Sequence, residues 1–167
     1  DPMTRIYQNG ASFNDILALY HFDLSLRELI FKYLCEIECR MRQLISYHFC
    51  SVHGEQQSEY LDPHNYNPSL KKMNDINRLI NLQANKNQDH TYVVHQRKVY
   101  HNVPLWVLIN TLTYGQISKL YTLLPSQIQS SISKNFPHVK EKTLEQYLKI
   151  LTLFRNVCAH NERLYSF

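Results

Sequence analysis

An all-α helical bundle of six or seven helices is the fold class this sequence predicts, on three observations. Only three glycines and six prolines are spread over 167 residues, which is little turn chemistry for the hairpins of an all-β fold. Apolar residues recur every three or four positions through most segments, the period of a helix with one buried face. The hydrophobic share of 44% and charged share of 19% are those of a globular chain with a single core. Residues 11–167 read as one domain, and residues 1–10 as an N-terminal tail whose leading Asp1-Pro2 is taken for an expression remnant.

Ser12, with Asp15 three residues on, reads as an N-cap, and Ile16, Leu17 and Leu19 give a short first helix ending near Tyr20. Asp23 is placed to cap the longest helix, where Leu26, Ile30, Leu34, Ile37, Met41, Leu44 and His48 form an apolar stripe. His48, at the end of that stripe, reads as a satisfied core histidine. Asp23/Arg27, Glu36/Arg40 and Glu38/Arg42 read as ion pairs on outer faces, worth ~0.3–0.5 kcal/mol each. Residues 53–68 read as a long loop anchored by Tyr60, Leu61 and Tyr66.

A further amphipathic helix runs through Leu70, Met73, Ile76, Leu79, Ile80 and Leu82, and stops before the polar run 85–90. The stretch 91–101 suits either an irregular segment or a helix. Pro104 fits the first turn of a helix through Leu105, Trp106, Leu108, Ile109 and Leu112, with Trp106 in the core and Gly115 ending or kinking it. Ile117, Leu120, Tyr121 and Leu124 continue to Pro125, Ser126 caps the next helix, Pro137 breaks it, and the last helix starts near Glu141.

A net charge of +4 and a pI of about 8.8 are compatible with a polyanionic partner without demanding one. The basic residues occur as scattered pairs, Lys71-Lys72 and Arg97-Lys98, so a basic surface has to be assembled by folding. Cys35, Cys39, Cys50 and Cys158 contain no CxxC pair; Cys35 and Cys39, one helical turn apart, read as buried thiols of a reducing cytoplasm. No stretch approaches the ~18 apolar residues of a spanning helix, and the start lacks the regions of a signal peptide. The chain therefore reads as soluble and cytoplasmic, with no membrane partner. Zinc-ligand spacings, a glycine-rich phosphate loop, GxSxG and HExxH are all missing, so the expectation is no metal and no cofactor.

In the last helix Leu144, Leu148, Leu151, Arg155 and Cys158 fall on one face. Arg155 thus takes a slot meant for an aliphatic residue, and must be paired, open on a cleft or meet another subunit, since an unpaired buried guanidinium is very costly. Five steps on, His160 points about 140° away, so either the helix breaks near His160 or the site is shared between subunits. Asn156, His160 and Arg163 instead fall along one ridge, within about 60°.

The run RNVCAH resembles the RxxxxH signature of HEPN ribonucleases, in its RNxxxH form, and FRNVCAHNERLY is similar to the end of Abi-like proteins of the AbiD/AbiF type. SFNDILALYHFDLSLRELI resembles that family's LY-FD-LR helix start, EIECRMR its E-x-x-x-R element, and VPLWVLINTLTYGQISKLY its PLWVxxxxLxxG segment. Together these cover most of residues 11–166 in the family's order. The chain departs from the pattern at Asn110, where some members carry an acidic residue, and in lacking a further N-terminal segment, which implies a truncated or short member.

The resemblance implies an HEPN-like bundle and a phage-defence endoribonuclease, of abortive-infection or toxin type, that cuts RNA without a metal. The ribose 2′-hydroxyl attacks its own phosphate, leaving a 2′,3′-cyclic phosphate and a 5′-hydroxyl. Such chemistry needs a group that moves protons near neutral pH and one that holds the phosphorane's charge, roles suited to His160 and Arg155. The plainer reading of the pair is a helix-terminal cation and a structural arginine. Asn156 joins them as a phosphate or His160 contact; Arg163, Asn161 and Arg42 are candidates for RNA binding, and Glu38 and Asn110 for the cleft. The implied partners are RNA, a second copy of the chain that brings the two motifs together, and an antitoxin or regulatory RNA. The alternative is a non-catalytic HEPN module that binds RNA or a protein and regulates it.

Overall fold

The computed structural model describes residues 10–68, 70–86 and 90–166. Residues 1–9 of the tail, Phe167 and the side chains of Leu70 and Lys71 lie outside the described residues. Among those described there are eight α-helices, three 3-10 turns and no strand, so the all-α expectation holds.

Helix α1 (Phe13–His53) is the axis of the fold, 41 residues or about 60 Å long. Its start is the capping box that Ser12 and Asp15 predict: the Asp15 amide donates to Ser12 Oγ (3.3 Å) and the Ser12 amide to Asp15 Oδ2 (2.8 Å). The two helices expected here are one. No glycine or proline interrupts residues 11–53, and Asp23 caps nothing of its own helix, since its carboxylate is buried and paired with Arg27 (2.8 Å). The outer-face reading therefore fails for Asp23/Arg27 and Glu38/Arg42: Asp23, Arg27 and Glu38 are buried, while Glu36 and Arg40 are exposed. His48 is half-buried, and burial lowers its pKa.

The segment after α1 is less loop-like than expected. It holds α2 (Gln57–Leu61) and a 3-10 turn, Pro63–Asn65, anchored by the predicted tyrosines. Buried Tyr66 donates to the Tyr60 carbonyl (2.7 Å), and buried Tyr60 to the Val103 carbonyl (2.8 Å), which ties the segment to the chain before α5. Helices α3 (Leu70–Lys86) and α4 (Thr91–Tyr100) follow; the second settles the ambiguous stretch as helical.

Helix α5 (Leu105–Leu108) runs into a 3-10 turn, Ile109–Thr111. Leu105, Leu108, Ile109 and Leu112 face the core, leaving Trp106 43% exposed. Trp106 is therefore not a core residue, because the helical period that buries its neighbours carries it outward. Gly115 ends nothing either. It lies in the first turn of α6 (Tyr114–Leu123), whose start is set by a Thr113/Gln116 capping box, and a Cβ there would sit 3.4 Å from Thr152 Cγ2. The glycine lets α6 and the last helix approach closely.

Helix α7 (Ser126–Ser133) and helix α8 (Glu141–Ala159) complete the bundle. Helices α5 to α8 pack on α1, and α3 packs on α6. The core joins Met41, Ile45 and Phe49 of α1 to Leu108, Leu120, Ile132 and Leu148. Leu151 is only partly buried, so the packing of the α8 stripe rests on Leu144 and Leu148. Residues 13–22 of α1 are exposed, and the helix projects past the bundle there. Cys35 and Cys39 are exposed too, against expectation, because they fall on the side of α1 opposite the core; Cys50 is half-buried and Cys158 buried, all as free thiols.

Candidate functional site

Three elements meet at the C-terminal end of α8: that helix, the middle of α1 and the start of α6. Glu38 of α1 is at their junction, 7% exposed. Its Oε1 is 2.5 Å from Arg42 Nη2 and its Oε2 is 3.9 Å from Arg155 Nε. Arg42 is committed to the fold, as the same Nη2 also donates to the Leu112 carbonyl (2.9 Å). The phenol of Tyr114 is buried and has no hydrogen-bond partner among the described residues. Burial, and secondly the charge of Glu38, raise its pKa, so it stays protonated.

Two guanidinium groups thus share one carboxylate, and the surplus positive charge lies with the looser partner. Arg155 has 30% of its side chain exposed, and it makes no hydrogen bond among the described residues. Glu38 faces the buried Nε of the guanidinium while the rest of the side chain is part-exposed, an arrangement suited to a phosphate oxygen. Its place on the buried stripe is explained by pairing and by an opening to solvent together.

Beyond Arg155 the helix breaks, the first of the two options that the angular divergence leaves. His160 is the C-cap, its amide donating to the Asn156 carbonyl (2.9 Å). Asn161 follows in the left-handed conformation (φ 56°), and the Glu162 amide donates back to the Val157 carbonyl (3.0 Å). This is a Schellman ending with asparagine at the position glycine usually takes. Asn161 Oδ1 accepts from Arg27 Nη1 (3.0 Å), and Asp23 Oδ1 accepts from the amides of Leu164 (2.9 Å) and Tyr165 (3.2 Å). The buried Asp23/Arg27 pair therefore holds the chain that follows the motif, down to the 3-10 turn Leu164–Ser166.

Of the predicted site residues, Arg155, Glu38 and Arg42 come together. His160 and Asn156 are exposed at the end of α8. The ridge joining Asn156, His160 and Arg163 is overturned, because the turn at Asn161 takes Arg163 off the helix axis. Asn161, though exposed, is bonded to Arg27, and Arg42 to Glu38 and Leu112, while exposed Arg163 makes no side-chain bond among the described residues. Asn110 sits apart, on the rim of a cleft that Arg42 also lines. Sequence reasoning missed Asp23, Arg27 and Tyr114. Among the described residues no three His, Cys, Asp or Glu side chains are grouped to hold a metal ion, and no helix is long and apolar enough to cross a membrane.

The model of one family, described as Abi-like protein, matches residues 2–166, nearly the whole chain. The chain belongs to the Abi-like family. The Arg155–His160 segment thus closes the last helix of an Abi-like protein, and a phage-defence role in abortive infection is what that family suggests. No curated protein and no solved structure matches the chain.

Proposed function

We propose that this Abi-like protein is an HEPN-type endoribonuclease that cuts RNA by 2′-hydroxyl attack and needs no metal. The observation that carries the reading is the state of Arg155: rooted by buried Glu38, part-exposed, and without a hydrogen bond among the described residues, near the helix end that carries His160. Arg155 neutralises the phosphorane oxygens, His160 moves the proton, and Asn156 lies between them in sequence on the same helix end. Incubation of the purified protein with labelled RNA in EDTA tests the chemistry. Cleavage is expected to persist and to leave cyclic-phosphate and 5′-hydroxyl ends. Activity lost in EDTA and restored by magnesium or manganese would refute it, and RNA bound but never cut would favour a regulatory module.

The same reading includes a homodimer. Ile150 and Leu153 are 50% and 54% exposed on α8, and His160, seven residues after Leu153, returns to within about 20° of it on the helix. The projecting start of α1 adds Phe13, 75% exposed, and Tyr20, which share one side of that helix. A two-fold axis through these apolar residues would cover them and face the two His160 side chains toward the shared cleft. Light scattering at micromolar concentration is expected to give twice the chain mass; a monomer that still cuts RNA would exclude the shared site.

A further inference from the structure

Next to Arg42 a cleft of about 540 Å³ opens between α1 and the α5 segment. One wall is α1, with Arg42, Gln43 and Tyr47; the other carries Trp106, Ile109 and Asn110. Each wall thus presents an exposed aromatic ring, Trp106 at 43% and Tyr47 at 68%. Ile109 supplies an apolar floor. Asn110 donates its amide to the Trp106 carbonyl (2.8 Å), which fixes the side chain and leaves its Oδ1 as an acceptor. Cys50, also in the lining, has its thiol pKa pushed up to about 11, mainly by burial, so it stays a thiol at neutral pH.

We infer that this cleft is a nucleobase pocket, which takes an unstacked base of the RNA strand beside the cleavage site and stacks it on Trp106. The inference rests on the ribonuclease reading for its choice of a strand over a free nucleotide. A flat ring with hydrogen-bonding edges matches aromatic faces on two walls, a fixed amide acceptor and an apolar floor. Position favours the same ligand. Arg42 links the pocket to Glu38, and Glu38 links it to Arg155, so a phosphate on Arg155 and a neighbouring base in the cleft can belong to one strand. Asn110 then contributes to base preference by accepting from an exocyclic amino group.

Trp106 is the single tryptophan of the chain, so indole fluorescence reports on the pocket alone. The probes are short 2′-O-methyl oligoribonucleotides, which lack the attacking hydroxyl, and the four nucleoside monophosphates. Saturable quenching by the oligonucleotides is expected, strongest with a base that carries an amino group. Loss of base stacking is worth ~1–3 kcal/mol, so Trp106→Leu should weaken binding of a labelled oligonucleotide, read by anisotropy, about 5- to 150-fold. Asn110→Ala should narrow the difference between bases. Unchanged fluorescence on binding, or wild-type affinity in Trp106→Leu, would overturn the pocket; quenching by monophosphates alone would overturn the strand assignment. The two readings separate cleanly. Quenching without cleavage of native RNA keeps the pocket and removes the nuclease, whereas cleavage without quenching does the reverse.

Discussion

Replacing His160 with alanine is expected to abolish RNA cleavage, and any toxicity that depends on it, while moving the melting temperature by no more than about 2 °C. His160 is exposed, its side chain makes no hydrogen bond among the described residues, and the helix end is held through backbone amides and Asn161. Little packing energy can be lost there. Arg155→Ala belongs in the same experiment, because Glu38 keeps Arg42 at 2.5 Å when Arg155 is gone. The buried carboxylate is not stranded, so the cost stays near ~1 kcal/mol, well below the ~3–5 kcal/mol of a broken buried pair. Cleavage should nevertheless fall by about two to three orders of magnitude if the guanidinium stabilises the transition state. Melts and cleavage rates on both variants decide the matter. A folded His160→Ala protein that cuts at the wild-type rate ends the ribonuclease proposal.

The largest stability effect is expected at Asp23. Its carboxylate pairs with Arg27, where both side chains are under 8% exposed, and it accepts the amides of Leu164 and Tyr165. Asp23→Ala leaves a buried guanidinium uncompensated and two amides without their acceptor, a loss of about 3–5 kcal/mol. For a chain of this length that lowers the melting temperature by roughly 6–20 °C. Asp23→Asn keeps an acceptor for the amides and should lose less, and replacing Asp23 and Arg27 together by leucine and methionine should recover much of the loss, since no charge is left unpaired. Thermal melts of the three variants read this directly. If Asp23→Ala melts with the wild type, the pair is not what holds the end of the chain.

Why Asp23 escaped a sequence reading is instructive. Acid-to-arginine spacing of four residues on a long helix ordinarily marks a solvated face. Yet Asp23, Arg27, Leu34, Glu38, Met41 and Ile45 lie within about 60° of one another at 100° per residue, so the charges share the stripe that the core residues use. Charged pairs that coincide with an apolar stripe were the available signal for a buried network. Trp106 carried a similar signal: the positions 105, 108, 109 and 112 exhaust the inward face of its short helix, so its neighbour at 106 has to point outward.

Helical class, the capped start at Ser12, the tyrosine anchors and the Arg155–His160 motif were determined by sequence alone, because caps, periodicity and turn residues act over a few positions and need no distant partner. The fusion of two predicted helices into α1 needed only the absence of a breaker, which is local as well. Other features depended on tertiary structure. That Glu38 divides itself between Arg42 and Arg155, that Asp23 closes the chain 141 residues away, and that Trp106 and Tyr47 share a cleft are decided by which faces of α1, α5 and α8 meet. Contacts between faces distant in sequence are set by packing the whole core, and no local pattern encodes the partner of a buried charge.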